Sequence, residues 1–341
     1  MHEKTYERRV AEQIAQYAAT VNMHDLPEIF HLWSNSFIAP GIEQVFGVRS
    51  INDIYVNAFI EAIANGGGRR ILSIGCGDGS IEICIANALL ARGFSDFQVV
   101  GSDLSPILLA RFQERIQSEN LTEYCIAKEV DLNSMSDLGR FSMIMANHSL
   151  HHIEALEQLF ENSWALLEER GIFATCDMIG RNGHMRWMES EIIIQSIWSL
   201  LEPKQRFHAQ LKRYEERYRN HDCSVEGFEG IRAQDILPLM LERFHPYRFF
   251  GAGGFVDLLV DRGYGHSFDP HSERDRSMIL FLGQLNDMLL DAKVITPTMM
   301  FAWFTKDDRG EVYYRNRRAV ESVRKPDVDP CWVRHYADFV G

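Results

Sequence analysis

Apolar positions along the chain follow two different periods, and the change between them falls near residue 69. Residues 10–21 and 51–64 carry apolar side chains at helical spacing, and the second run leads into three glycines. After them, short continuous apolar runs alternate with longer amphipathic ones. The first pattern predicts a helical N-terminal segment over residues 1–65, and the second predicts a separate domain that begins at residue 66.

The alternating region predicts strands joined by helices. Strands are expected at residues 69–75, 97–103, 122–132, 141–150 and 171–180, with helices at residues 80–93, 107–117 and 154–171. Strands that alternate with helices of this length indicate βαβ units and a parallel sheet. The expected fold class is therefore α/β, with a doubly wound and mostly parallel sheet.

The rhythm breaks after the fifth predicted strand. Two long helices are predicted over residues 185–201 and 204–220, and we expect residues 184–230 to form an inserted helical lid. Two further strands, at residues 247–255 and 298–305, bring the predicted sheet to seven and place the end of the domain at residue 305. Residues 306–341 form a polar tail.

Composition limits the classes of partner. The 341 residues are 46% hydrophobic and 24% charged, as in soluble globular proteins, and the formal net charge is −13. That charge argues against nucleic acid or an anionic membrane as a partner, because both are polyanions. The six cysteines lack metal-site spacing, so we expect reduced thiols and no metal. The charged start, MHEKTYERRVAEQ, is unlike a signal peptide and predicts a cytoplasmic protein.

Three glycines join the first predicted strand to the first helix of the domain. At Gly75, Gly77 and Gly79 a ligand can approach the backbone, and the following helix offers free N–H groups. Asp103 ends the second strand, where a carboxylate can accept hydrogen bonds from ribose hydroxyls. A bare tight turn is the alternative, but a further acidic strand end at Asp131 favours a nucleoside-containing cofactor.

The glycine spacing separates classes of cofactor. Dinucleotide sites use GxGxxG, whereas this turn reads GxGxG with Asp78 between its last two glycines. A carboxylate fits poorly beside a pyrophosphate and better beside a ligand that carries an ammonium group.

At this point the chain resembles the class I S-adenosylmethionine-dependent methyltransferases. The matching stretches are ILSIGCGDGS, VVGSDLS, KEVDLN and MIMANHSLHHI, in the family's order. The resemblance implies S-adenosylmethionine as cofactor, with the glycine turn at its methionyl part, the second strand's acid at the ribose and the third strand's acid by the adenine. The implied cofactor residues are Gly75, Cys76, Gly77, Asp78, Gly79, Asp103, Leu104, Asp131, Leu132 and Asn147.

One residue departs from the family pattern. Ser73 stands where the family usually has an acidic residue. Contact with the methionyl ammonium group must then come from backbone carbonyls or from a neighbour such as Asp78.

Three histidines follow the fourth predicted strand, and they are candidate catalytic residues. His148, His151 and His152 would lie beside the cofactor, where imidazole can take a proton from an acceptor near neutral pH. The alternative is that they cap the next helix or pack under the sheet. A metal site is disfavoured because no carboxylate shares their spacing.

Candidate substrate-binding residues follow the fifth predicted strand. Arg181, His184, Arg186 and Trp187 gather at the start of the lid, and Trp33 is a candidate from the N-terminal segment. Arginine is suited to bind an anionic group of the acceptor. The alternatives are that the arginines pair with nearby glutamates and that Trp33 belongs to the core.

These features predict a methyltransferase that modifies an oxygen or nitrogen of a small molecule, with water excluded by the lid. The absence of an Asn/Asp-Pro-Pro-aromatic motif after the fourth strand counts against a nucleobase acceptor. A protein that only binds the cofactor, as a sensor or assembly partner, remains an alternative. The glycine spacing disfavours a nicotinamide-dependent oxidoreductase. The sequence is compatible with a homodimer.

Overall fold

An eight-stranded mixed sheet forms the centre of the protein in a computed structural model that describes residues 26–130, 138–225, 228–326, 329–330 and 333. The strand order is β10-β8-β9-β5-β4-β1-β2-β3. The sheet strands are β1 (Arg70–Ile74), β2 (Gln98–Asp103), β3 (Cys125–Glu129), β4 (Phe141–Asn147), β5 (Leu167–Met178), β8 (His245–Ala252), β9 (Met299–Thr305) and β10 (Val312–Tyr313), and β6 (Phe207–His208) and β7 (Arg213–Tyr214) form a separate hairpin.

The first five strands run parallel, with β1 near the middle. Ile71 joins one apolar cluster while Leu72 and Ile74 join another, so β1 is buried on both faces, as expected for a central parallel strand. β9 lies antiparallel between β5 and β8. The carboxyl ends of β1, β2, β4 and β5 therefore meet at one edge of the sheet.

Helices cover both faces of the sheet. Apolar residues of α3, α4, α5 and α10 belong to the cluster on one face, and those of α6 and α8 to the cluster on the other. The helices are α1 (Glu28–Trp33), α2 (Ala39–Phe46), α3 (Ile51–Ala64), α4 (Ser80–Ala91), α5 (Pro106–Ser118), α6 (Leu156–Leu166), α7 (Met188–Trp198), α8 (Ala233–Arg243), α9 (Asp257–Val260) and α10 (Glu273–Asp291), with a π-helix at Ser34–Ile38. No helix in the described ranges is both long enough and apolar enough to cross a bilayer.

The α/β class and the mostly parallel sheet are confirmed, but the predicted number of seven strands is wrong. The eighth strand, β10, lies in the predicted polar tail and pairs in parallel with Arg248 and Phe249 of β8. Two residues are too short a run to carry a recognisable period. The helix predicted over residues 154–171 also ends earlier, at Leu166, because Leu167 already pairs with Phe141 of β4.

The inserted segment contains one of its two predicted helices. α7 forms as expected, but residues 204–220 are not a helix: they fold into a short 3₁₀ turn and the β6–β7 hairpin. Tertiary contacts override the helical pattern here. Glu215 is buried, its carboxylate accepts a hydrogen bond from the Tyr264 hydroxyl at 2.7 Å, and its carbonyl accepts one from the Trp198 indole at 2.9 Å.

Candidate active site

The glycine turn between β1 and α4 has a left-handed backbone at each of its three glycines. The φ angles of Gly75, Gly77 and Gly79 are 66°, 56° and 72°. A β-carbon on Gly75 would lie 2.6 Å from that of Ser149, and one on Gly79 would overlap the ring of Phe112. A β-carbon on Gly77 would meet no atom of the described residues within 4 Å. Gly75 and Gly79 are therefore fixed by packing, and Gly77 leaves its backbone open to a ligand.

Asp103 connects the end of β2 to this turn. One carboxylate oxygen accepts a hydrogen bond from the Gly77 amide at 2.9 Å, and the other accepts one from the Ser105 amide at 2.8 Å. Burial raises the pKa of Asp103, and these two hydrogen bonds oppose the shift. Leu104 is half-buried beside it. The other predicted pair, Asp131 and Leu132, lies outside the described residues.

Two more carboxylates lie at the turn. Asp78 points outward, where it forms an ion pair with Arg115 at 2.8 Å and accepts a hydrogen bond from the Ser80 amide. Glu82, in the first turn of α4, reaches back to β1 and accepts a hydrogen bond from the Ser73 hydroxyl at 2.5 Å. Burial raises the pKa of Glu82 to about 7, against the opposing hydrogen bond from Ser73.

Glu82 is a residue that the sequence reasoning missed. It is 2% exposed, and its second carboxylate oxygen has no hydrogen-bond partner among the residues that the structure describes. The available signal was an acidic residue near the start of an otherwise apolar helix, SIEICIANALLA, where a solvated glutamate is not expected.

Asn147, at the end of β4, is held by the N-terminal helices. Its side-chain oxygen accepts a hydrogen bond at 2.9 Å from the hydroxyl of Tyr55 on α3, and that hydroxyl also contacts the Ala146 carbonyl. Tyr55 is fully buried, and burial, followed by the charges of Cys176 and Asp177, raises its pKa. The helices before the sheet thus help to fix the edge at which the strands end.

A buried carboxylate on β5 organises the segment after β4. One oxygen of Asp177 accepts hydrogen bonds from the amides of Ser149 and Leu150, at 2.9 Å and 2.8 Å, and the other lies 2.6 Å from Nδ1 of His151. Burial alone would lower the pKa of His151, but Asp177 and Glu229 outweigh it and raise that pKa to about 10. His151 is therefore an imidazolium at neutral pH.

Glu229 belongs to the inserted segment and lies in a histidine cluster, which consists of His151, His152, His184 and Glu229. Its Oε1 lies 2.7 Å from Nε2 of His184 and 3.5 Å from Nε2 of His151, and its Oε2 lies 3.8 Å from Nδ1 of His152. Burial would raise the pKa of Glu229, but the histidines hold it well below its usual range. No local pattern predicts this contact, because Glu229 lies 45 residues from His184.

The same cluster has the donor set of a metal site. Ligand atoms of His151, His152 and Glu229 all lie within 4.8 Å of one another. A metal ion could be held there, since imidazole and carboxylate suit zinc and related cations. The expectation that the chain binds no metal stays a prediction.

Two of the histidines have a backbone that is rare for residues with a β-carbon. The φ angles of His148 and His184 are 49° and 56°. Such strain concentrates at functional sites. His148 is solvent-exposed and has its Nε2 3.8 Å from the sulfur of Cys176. Burial together with the charge of His151 lowers the pKa of His152 to about 4, so that ring is neutral at pH 7.

The candidate substrate residues fall into two groups. His184 belongs to the histidine cluster, whereas Arg181 is half-buried with its guanidinium 5.8 Å from the centre of the Trp187 ring. Trp33, Arg186 and Trp187 are buried. The Arg186 guanidinium forms an ion pair with Asp257 at 2.8 Å, so a carboxylate of the chain already occupies it.

Residues 72–173 match the family model described as a methyltransferase domain. No curated protein sequence matches the chain significantly. Solved structures with a similar fold include the O-methyltransferase segment of StiE, 12% identical over 84% of each chain, with a TM-score of 0.44. Another is the O-methyltransferase of a Brevibacillus brevis trans-AT polyketide synthase, 15% identical over 86% of this chain and 83% of that one, also with a TM-score of 0.44. A third is geranyl diphosphate C-methyltransferase from Streptomyces coelicolor, 11% identical over 75% and 76%, with a TM-score of 0.43.

The family match covers β1 to β5, which carry the glycine turn, Asp103 and the histidine segment. The order of these strands and the antiparallel β9 agree with the fold that the motifs implied. The matched part of this chain is similar to a methyltransferase domain, the class of protein that the motifs implied.

Proposed function

We propose that the cofactor lies across the edge of the sheet between the glycine turn and the histidine cluster. The open backbone at Gly77 would face its methionyl part, and Asp103 would hold the ribose hydroxyls, with Leu104 against the adenine. Cys76 and Asn147 would complete the described part of this surface. The donor set fits the cofactor, since a carboxylate and open backbone suit a nucleoside that carries cationic groups.

The observation that carries the proposal is the contact between the two turns. Ser149, which opens the histidine segment, donates a hydrogen bond to the Ile74 carbonyl at 2.7 Å, and its β-carbon lies where a side chain on Gly75 would be. The residues that would bind the cofactor and those that could move a proton are therefore neighbours. This is the arrangement that methyl transfer requires.

We assign the proton transfer to His184. Bound S-adenosylmethionine supplies an electrophilic methyl group. Because Glu229 accepts a hydrogen bond at Nε2 of His184, the hydrogen-bond network assigns the proton of the neutral ring to Nε2 and the lone pair to Nδ1. That nitrogen would take the proton of the acceptor as its oxygen or nitrogen attacks the methyl carbon.

The other histidines would support this step in different ways. His151, held as a cation by Asp177, keeps Glu229 ionised, so that Glu229 can stabilise His184 once it is protonated. His152 is a neutral ring beside it, and His148 faces solvent at the end of β4. Of the three histidines predicted to be catalytic, we thus assign His151 to positioning.

The acceptor in this proposal is a small molecule with a hydroxyl or amine group. Arg181 is the arginine left to bind an anionic group of it, since it forms no ion pair with any described carboxylate, whereas Arg186 does. Residues 184–230 would close over the acceptor and exclude water. The net charge of −13 disfavours nucleic acid as the acceptor.

Transfer of a labelled methyl group to a panel of small hydroxyl and amine compounds tests this function. Turnover by the wild type that falls in His184→Ala, with S-adenosylhomocysteine affinity unchanged, supports it. Binding of S-adenosylhomocysteine without turnover on any compound supports the non-catalytic alternative instead. Equal turnover by wild type and His184→Ala would remove the assigned base.

A further inference from the structure

We propose that Glu82 binds the α-ammonium group of the cofactor's methionyl end and so replaces the acidic residue that the chain lacks at position 73. The inference rests on the proposed placement of the cofactor across the glycine turn. It assigns a binding role to a residue on α4 that no motif marks.

The two carboxylate oxygens of Glu82 differ, since one accepts a hydrogen bond and the other is left to accept one from a ligand. Oε1 is held by the Ser73 hydroxyl at 2.5 Å, two residues before Gly75. Oε2 is buried and has no hydrogen-bond partner in the described part of the chain. A buried carboxylate oxygen without a partner is costly, so a native structure keeps one where a ligand completes it or where function requires it.

Two of the three carboxylates around the turn also lack a cationic partner among the described residues. Glu82, Asp78 and Asp103 act on one another, since the fields of the two aspartates contribute to the raised pKa of Glu82. Asp78 is neutralised from outside by Arg115. Within the described ranges, no arginine, lysine or histidine forms an ion pair with Glu82 or Asp103. A cationic ligand group at the turn would supply the missing charge.

Ser73 explains why the carboxylate can come from α4. With a short hydroxyl side chain on β1, there is room for a glutamate to reach back from the first turn of the helix, and the hydroxyl donates the hydrogen bond that fixes it. The carboxylate also acts on the turn itself, because its charge contributes to the raised pKa of Cys76. A carboxylate side chain on either β1 or α4 would then place an oxygen at the same part of the glycine turn.

The alternative is that Glu82 only fixes the conformation of the turn. The two roles differ in which ligands they affect. A role in the turn's conformation weakens every ligand that lies on the turn, whereas a bond to the ammonium weakens only ligands that carry it.

Isothermal titration with S-adenosylhomocysteine and its deamino analogue separates the two roles. We expect Glu82→Gln to lose about 10- to 100-fold in affinity for S-adenosylhomocysteine, the range for hydrogen bonds to charged groups. Affinity for the deamino analogue, which keeps the carboxylate and the nucleoside, should not fall. The double variant Ser73→Asp/Glu82→Gln should regain the lost affinity, because it returns a carboxylate to the turn from β1.

Glu119→Gln, which removes an exposed carboxylate just beyond α5, controls for net charge, and thermal melting controls for folding. Equal losses for both ligands, no loss for either, or no recovery in the double variant would overturn the inference. Failure of the wild type to bind S-adenosylhomocysteine at all is a different result, because it removes the cofactor placement itself.

Discussion

The two sides of the proposed site, a cofactor side at the glycine turn and an acceptor side at the histidine cluster, are built in different ways. On the cofactor side, one short stretch from β1 to α4 supplies the turn, and backbone amides and carboxylates do most of the bonding. On the acceptor side, the histidine cluster draws on three distant segments, which contribute His151, His184 and Glu229. In the proposed function, local backbone geometry binds the cofactor, whereas binding a particular acceptor needs side chains that only the tertiary structure brings together.

The sharpest way to test this division is to remove the proposed base. His184→Ala should lower kcat by about 100- to 10,000-fold, the usual contribution of general base catalysis, because His184 is the ring closest to Glu229, at 2.7 Å, and is the base that this proposal assigns. Steady-state kinetics with titration calorimetry provide the measurement. Glu229→Gln should lose less, since the base remains but its orienting charge is gone. A large loss of S-adenosylhomocysteine affinity in either variant would mean that the two sides are not separate.

Within the acceptor side, two arginines should behave oppositely. Arg186→Ala should lower the free energy of unfolding by about 3–5 kcal/mol, because it leaves the carboxylate of Asp257 buried without its partner. Arg181→Ala should change that free energy by less than about 0.5 kcal/mol and raise KM for an anionic acceptor. Urea unfolding followed by circular dichroism measures the first effect. Equal stabilities of the two variants would contradict the assigned roles.

On the cofactor side, the expected losses of affinity are smaller and affect more than one ligand. Asp103→Ala should weaken S-adenosylhomocysteine by about 10- to 100-fold through loss of hydrogen bonds to the ribose. It should weaken the deamino analogue equally, unlike Glu82→Gln, because both ligands carry the same ribose. Titration calorimetry measures both affinities. A selective effect of Asp103→Ala on the ammonium-bearing ligand would exchange the roles of the two carboxylates.

The smallest expected effect is a pH dependence of cofactor binding. The pKa of Glu82 is raised to about 7, so part of the free protein holds a proton there near neutral pH. An ammonium group favours the ionised form, so affinity should rise with pH and then level off. We expect about a tenfold gain from pH 6 to pH 8 in the wild type, since one pKa unit corresponds to a tenfold change.

Glu82→Gln should bind with nearly flat pH dependence over the same range. The groups that act on Glu82 are Ser73, Asp78 and Asp103, and it acts in turn on Cys76 and Tyr55. Persistence of the wild-type slope in Glu82→Gln would assign the proton to one of these neighbours.

The parts of the molecule that the sequence predicted are those with local causes. The period of apolar residues identifies the central strands, because each strand lies within one stretch of chain. The glycine spacing with Asp103 indicates a cofactor turn on equally local grounds, and that assignment stays a prediction. These features do not depend on distant contacts.

The parts that were missed depend on contacts between distant residues. Residues 204–220 have a helical pattern, yet Glu215 is bound by Trp198 and Tyr264, which lie outside it. Glu229 meets His184 across 45 residues. Glu82 fills a place that the motif assigns to position 73. No single stretch of sequence contains these relations, so a reading of local patterns could not supply them.

The buried Asp177 has a consequence for how this enzyme could change its acceptor. It fixes the path of the segment after β4 through two peptide N–H groups, which every residue except proline possesses. Side chains at exposed positions of that segment can therefore be replaced while the main chain keeps its course, although at His148, whose φ is 49°, only residues that tolerate a left-handed backbone fit. The hydrogen bonds that hold this segment do not involve its exposed side chains, so substitutions there could alter acceptor specificity without changing the fold.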